Sequence, residues 1–277
     1  MEISKKKMEV QVAIPSRHRS EAIWRYTLKY LQETNFPMER VTVFVSDEED
    51  SANYHDCNIV VAEGTKSLGD KRQFISDYYP KGTPVISFDD DVSGVFKLNL
   101  TEPVEGTRKE LTHPCTLEKV LDLSEFVEEG FSLCEERGLR MWGAAPVANK
   151  GFMNPRILTG LKFIMGHFFG FYAGDGIAGK DADPKDDIYT SLWHYNEFGG
   201  TLRYDNHCVK SKAHSGSGGN CDDMEAKLEL NNSTVARIIE DFDGLAFLKL
   251  RRTNDPWLSR YHEVRLKNIT TETIGVD

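Results

Sequence analysis

The strongest constraint on the fold lies in residues 10–91, where apolar strands alternate with helical segments. Val10 to Ser16 reads as a buried strand that ends at Pro15-Ser16-Arg17. Ser20 is placed to cap a helix that begins near Glu21, and Ile23, Tyr26, Thr27, Tyr30 and Leu31 then recur at helical spacing. Val41 to Ser46 is a second strand closed by Asp47, and Asn58 to Val61 a third. Leu68 to Tyr79 fits a helix with Lys71 and Arg72 in its first turn. Pro84 to Phe88 is a strand that runs directly into Asp89, Asp90 and Asp91. This alternation predicts an open α/β fold of the Rossmann-like kind, a mixed, mostly parallel sheet flanked by helices. Ligands of such sheets bind outside the carboxyl ends of the strands, where Pro15-Ser16-Arg17 and the aspartate triplet both fall.

The pattern loosens afterwards. Leu117 to Arg137 reads as one long helix, Met141 to Ala145 as a strand, and Phe163 to Ala173 as a Gly-broken aromatic strand or strand pair. A Gly/Asp loop spans Gly174 to Lys185, and a helix runs from Asp187 to Phe198 until Gly199-Gly200 ends it. Lys210 to Gly219 is a polar Gly/Ser loop, and Glu225 to Asp241 contains a further helix. No internal repeat or linker divides the chain, so residues 1–277 read as one domain. Residues 10–100 form its ligand-binding half and residues 101–277 its acceptor half.

Composition excludes several classes. With 277 residues, 39% hydrophobic and 28% charged, the chain can bury a core without staples. No apolar run reaches the ~18 residues of a membrane helix. The longest, Leu161 to Ala173, is broken by Lys162, Gly166, His167 and Gly170. The charged start, Met1 to Gln11, has no apolar signal core, which points to a cytoplasmic location without a membrane partner. The net charge of -10 argues against a protein that coats nucleic acid, but not against a local basic groove. Cys57, Cys115, Cys134, Cys208 and Cys221 are odd in number and lack CxxC spacing, as expected of reduced thiols.

Four groups of residues carry candidate chemistry. Asp89, Asp90 and Asp91 repel one another at a strand end unless a cation sits there, and a hard divalent ion is the obvious partner. Without one, the triplet is a solvated acidic turn. Asp186 and Asp187 open a helix; one can cap it, which leaves the other free. Lys210, Lys212 and His214 precede Gly216, Gly218 and Gly219 in a loop suited to close over a diphosphate, or simply to stay a surface loop. Arg17, Arg19, Lys71 and Arg72 gather at the same sheet edge, where basic side chains and helix amides suit phosphate. Together they describe a nucleotide-sugar site with a general base.

These ordered motifs resemble glycosyltransferases of the GT-A fold. Ile14-Pro15-Ser16-Arg17 is similar to their first nucleotide-binding strand, Asp89-Asp90-Asp91 to the DxD motif, and Asp186-Asp187 before Ile188-Tyr189-Thr190-Ser191-Leu192 to the ED motif. His214 resembles their late metal-binding histidine. Gly69-Asp70-Lys71-Arg72, Phe88-Asp89-Asp90-Asp91-Val92 and His214 to Gly219 narrow the likeness to the TET/JBP-associated DNA glycosyltransferases, which include the base J glucosyltransferase and phage enzymes. The likeness covers roughly residues 10–220. The Asp-Asp pair departs from the usual Glu-Asp, which shortens the first carboxylate.

The resemblance implies the following roles. Pro15, Ser16, Arg17 and Asp47 line the nucleoside pocket. Arg19, Lys71 and Arg72 face ribose or phosphate. Asp89 and Asp90 belong to the donor site, with Asp89 on ribose. Asp91 with His214 binds Mn²⁺ or Mg²⁺ on the diphosphate of a UDP-sugar. Asp187 is the catalytic base, with Asp186 beside the acceptor. The implied acceptor is DNA carrying a 5-hydroxymethyl pyrimidine, 5-hydroxymethylcytosine foremost, in a phage-infected cell. Glucose or arabinose would be the sugar, transferred with inversion. A glycan, lipid or protein acceptor is one alternative, and an inactive scaffold that only binds nucleic acid is another. A flipped base needs stacking and phosphate contacts, for which Trp142, Asn149, Phe152, Asn154, Arg156 and Tyr172 are candidates. Phe168 and Phe169 read better as core. The tail adds Lys249, Arg251, Arg252, Arg260, Arg265 and Lys267 around Trp257, either a phosphate surface or a charged strand face.

Overall fold

The computed structural model describes residues 8–100, 115–177, 179, 181–212 and 224–275. The expected α/β architecture is the one observed. Strand β1 (Gln11–Pro15) leads into a helical stretch made of α1 (Ser20–Ile23), a π turn (Trp24–Leu28) and α2 (Lys29–Glu33). Then come β2 (Val41–Val45), α3 (Glu48–Ser51), β3 (Asn58–Val61), α4 (Leu68–Tyr78) and β4 (Pro84–Phe88). The second half contains β5 (Val92–Leu100), β6 (Cys115–Lys119), α5 (Leu123–Glu136), β7 (Met141–Ala145), β8 (Arg156–Gly160), β9 (Phe168–Tyr172), α6 (Asp186–Phe198) and β10 (Thr201–Ser211). Helix α7 (Met224–Asp241), β11 (Ala246–Leu250), β12 (His262–Leu266) and β13 (Thr273–Gly275) end it.

The main sheet runs β13-β8-β10-β7-β9-β4-β1-β2-β3, with β5 and β6 attached to β10. Strands β4, β1, β2 and β3 are all parallel, so both their faces are covered and β2 is buried at every position. Antiparallel β9 joins β4 to β7, and β10 then runs parallel to β7. One consequence positions the site. The carboxyl ends of β1, β4, β7 and β10, the start of β9 and the start of β8 all reach one edge of the sheet. Among the described residues no helix is long and apolar enough to cross a membrane.

Three expectations need correction here. Cys115–Lys119 is a strand paired with β5, not the start of a helix; α5 begins only after Asp122, whose carboxylate caps the Glu125 amide. Ser20 starts α1 rather than capping it, and Arg19 holds the cap position without a side-chain bond. Trp142 does not face an acceptor. Its ring is fully buried among Phe126, Phe131 and Phe168, seated on Gly130 of α5 and Gly170 of β9. Phe168 and Phe169 are core, as the sequence suggested, and Tyr172 is buried with them.

The Trp142 slot generates a stability prediction. A Cβ on Gly170 would meet Trp142 Nε1 at 2.1 Å, and one on Gly130 would meet the ring at 2.5 Å. Neither ring nor strand can yield cheaply in a packed interior. Gly170→Ala is expected to lower unfolding free energy by at least the ~1–3 kcal/mol of typical overpacking, read from the urea midpoint.

Candidate active site

At the shared edge, β1, the loop after β2, the start of α4 and the end of β4 surround a cavity of about 450 Å³. Pro15, Ser16, Arg17 and Arg19 form one wall, Thr65 to Leu68 and Lys71 another, and Asp89 and Asp90 the floor. Helix α4 aims its N-terminus into this space, closed by a reciprocal capping box between Ser67 and Asp70.

The β1 loop is held from below. Ser16 Oγ donates to Asp90 Oδ2 at 2.7 Å and lies 2.8 Å from the Tyr54 hydroxyl. His18, at a φ of 53°, donates its backbone N–H to both oxygens of fully buried Asp50. Lys71 Nζ donates to the Ser16 carbonyl at 2.6 Å and to Ser46 Oγ at 2.8 Å. Lys71 is therefore a buried brace of the pocket, and burial pulls its ammonium down to about 8. Asp47 is exposed, caps α3 through the Asp50 amide and does not line the cavity. Asp50 and Tyr54, unmarked in the sequence reading, hold the β1 loop from below instead.

The aspartate triplet is divided between two arginines. Arg19 spans Asp90 at 2.9 Å and Asp91 at 3.2 Å. Arg72 spans Asp89 at 3.1 Å and Asp186, and also donates to the Gly166 carbonyl at 2.7 Å. Arg72 is buried and does not face ribose or phosphate directly. Burial opposes its charge, but Asp186, Asp89 and Asp187 more than offset that and hold it firmly protonated. Thr27, in the π turn, accepts from the Val92 amide and donates to the Asp89 carbonyl at 2.7 Å, which fixes the turn carrying all three aspartates.

Burial pushes Asp89 up to about 6, despite Arg72, and Asp90 up to about 7, despite Arg19 and Ser16. Crowded carboxylates of this kind gain from an added cation. Asp89 keeps 31% of its side chain exposed, enough to meet a ligand. Among the described residues no three His, Cys, Asp or Glu side chains converge on a metal position. The residues present fit a hard cation of the Mg²⁺ type as a partial set, because such ions take one or two carboxylates and complete their shell with phosphate oxygens. The Lys212 amide donates to the Asp91 carbonyl at 3.0 Å, which ties the end of β10 to the triplet. His214 lies outside the described residues.

Neither aspartate at the start of α6 caps it; Lys185 holds the cap position without a side-chain bond. Asp186 is buried against Arg72. Asp187 accepts the Ile188 amide at 2.8 Å and the Gly166 amide at 3.4 Å, and no cation pairs with it among the described residues. Burial, then Asp186, pushes Asp187 up to about 7, opposed by Arg72 and the two amides. That value suits a proton acceptor near neutrality. His167, also unmarked in the sequence, is held down to about 4 by burial and Arg72, so it stays neutral beside the site.

The remaining candidates lie elsewhere. Asn149 caps a short turn through the Gly151 amide, and Asn154 bonds back to the Phe152 carbonyl. Arg156 meets Asp205 at 3.3 Å. Arg251 and Lys249 share Glu263, and Arg252 follows them, on the separate β11–β12 ribbon packed against α7.

No family model matches the chain, and no curated protein does. Solved structures match. The mannosyltransferase PcManGT from Pyrobaculum calidifontis, in complex with GDP-Man and Mn²⁺, aligns over 92% of this chain and 68% of its own, at TM-score 0.52 and 11% identity. Glucosyl-3-phosphoglycerate synthase from Mycobacterium tuberculosis, with Mn²⁺, UDP and glucosyl-3-phosphoglycerate, aligns over 96% and 89%, at TM-score 0.47 and 7% identity. At such identities the likeness to the mannosyltransferase establishes the fold, GT-A-like with a Rossmann-like half.

The Arg72 bridge makes a prediction. Arg72→Ala leaves Asp186 and Asp89 without their cation, and truncation of a buried pair costs ~3–5 kcal/mol. Asp89, already raised by burial, then loses the cation that lowers it and titrates still higher folded than unfolded, so the deficit is greatest above neutrality. It should shrink as pH falls toward 5 and Asp89 protonates. Urea unfolding of the variant at pH 8 and pH 5.5 checks both sign and size.

Proposed function

We propose that the protein is a metal-dependent, inverting glycosyltransferase. It moves glucose or arabinose from a UDP-sugar to the hydroxyl of a 5-hydroxymethyl pyrimidine in DNA, with 5-hydroxymethylcytosine preferred and phage DNA the setting. The observation that carries this reading is Asp187. It is a carboxylate raised to about 7, free of any described cation, linked through Asp186 and Arg72 to the aspartate triplet. The mannosyltransferase that shares the fold holds GDP-Man and Mn²⁺, which supports a nucleotide-sugar donor and a metal here. The DNA acceptor rests on the motif resemblance.

In this reading Pro15, Ser16, Arg17 and Arg19 line the nucleoside and phosphate pocket, and Asp89 takes the ribose. Asp90 holds the β1 loop through Ser16. Asp91 and His214 would hold Mn²⁺ or Mg²⁺, which would neutralise the departing diphosphate. Asp187 takes the proton of the acceptor hydroxyl as its oxygen attacks the anomeric carbon. The bond from that carbon to the diphosphate oxygen breaks on the opposite face, and the electron pair leaves with UDP. A single displacement of this kind inverts the sugar carbon.

Asp187→Asn should keep UDP binding in calorimetry and lose ~10²–10⁴ in transfer rate. Because Asp187 must be ionised, wild-type kcat/KM should rise with pH through about 7 and level off above it. Asp91→Asn should abolish the gain in UDP affinity that Mn²⁺ confers, seen as titrations identical with and without EDTA. The function itself is tested by nucleoside mass spectrometry of DNA containing 5-hydroxymethylcytosine, 5-hydroxymethyluracil or neither, incubated with Mn²⁺ and pooled UDP-hexoses and UDP-pentoses. A hexose or pentose increment on a hydroxymethylated base is expected. Turnover of the donor without any increment would move the acceptor to another class.

A further inference from the structure

At the same edge of the sheet, β10 and the start of β8 carry a second charged cluster. Strand β10 bulges against β7 between Tyr204 and Cys208, which takes Asp205, Asn206 and His207 out of regular register. Bulges of this kind re-aim side chains beside functional sites. Asp205 is buried and shared by two guanidiniums, Arg203 Nε at 2.8 Å and Arg156 Nε at 3.3 Å. One carboxylate facing two cations leaves a positive charge over. Arg156 is gripped only by its Nε, and its terminal nitrogens meet no other acceptor among the described residues. With 45% of its side chain exposed, it presents the flat two-nitrogen edge that matches a phosphate.

The cluster lies on the same side of the sheet as the proposed base. Tyr204 and Ile157, adjacent in sequence to Arg203 and Arg156, pack into the core beneath α5, so the alternation of side chains sends these two arginines to the opposite face, where both bond Asp205. Arg203 also reaches the Phe163 carbonyl, in the segment that runs on to Gly166 and Asp187. Three strand spacings separate β9 from β8, about 14 Å across the edge.

We propose that Arg156, oriented by Asp205 and backed by Arg203, is a subsite for a backbone phosphate of the acceptor strand. This rests on the DNA-acceptor reading given above and extends it, since Arg203, Asp205 and the bulge define a site where sequence suggested only single residues. Asp205 is a positioning residue: it holds one guanidinium nitrogen and leaves the fork open.

The test uses a fluorescein-labelled oligonucleotide carrying 5-hydroxymethylcytosine, single-stranded and as duplex, with anisotropy titrations at several NaCl concentrations. Arg156→Gln should weaken binding about tenfold and flatten the dependence of log K on log salt by about one contact. Arg156→Lys should keep the salt slope and recover part of the affinity, because it keeps charge without the fork. Thermal midpoints show whether the variants remain folded. Wild-type binding with an unchanged slope in Arg156→Gln would overturn the subsite while the DNA-acceptor reading stands. Loss of affinity with an unchanged slope, or with a collapsed melting point in both variants, would mark Arg156 as structural and also overturn it. Failure of the wild-type protein to bind either oligonucleotide would remove subsite and acceptor reading together.

Discussion

The buried guanidinium of Arg72 holds the site together. It joins Asp89 at the end of β4, Asp186 at the start of α6 and the Gly166 carbonyl before β9. These groups come from distant parts of the chain; Asp89 and Asp186 pair with this one cation, and Asp187 feels its charge without bonding to it. Without it, their mutual repulsion and desolvation would push α6 and the β4 turn apart. Lysine would not substitute, because its compact ammonium lacks the guanidinium fork that here reaches acceptors on three segments. The aspartate triplet and the start of α6 are thus parts of one electrostatic unit.

A second arginine completes the division. Arg19 sits on Asp90 and Asp91, while Arg72 serves Asp89 and Asp186. Asp187 is left with two amides and no cation among the described residues, so burial raises it toward neutrality. A base needs that condition, and a purely structural carboxylate would be paired away. The π turn serves the same edge: it places Thr27 under the turn between β4 and β5. Such turns interrupt helices most often near functional sites.

Much of this was legible in the sequence, because the donor half is built from local signals. Buried runs such as Val41 to Val45 and Pro84 to Phe88 can only be central strands, and each ends in polar residues at the expected edge. The acidic pairs were visible too. Their partners were not, since Arg72 and Asp186 stand 114 residues apart and nothing local links them. Asp47 and Asp50 lie in one acidic run, and only the fold shows that the first caps α3 while the second is buried under the β1 loop. Trp142 looked like a surface aromatic until Gly130 and Gly170 made a slot for it. Strand β10 was missed because it is polar, and its burial comes from neighbours on both sides. Strand β5 was missed too, although the period-two run Phe96-Lys97-Leu98-Asn99-Leu100 was a signal that could have found it.

The central claim is that one sheet edge holds a nucleotide diphosphate and its metal beside an unpaired base. Anomalous diffraction from crystals grown with UDP and Mn²⁺ tests it most directly. The account predicts a manganese peak against Asp91, UDP in the cavity between the β1 loop and α4, and Arg72 still bridging Asp89 and Asp186. Manganese bound away from the triplet, or UDP absent from that cavity at saturating concentration, would contradict it.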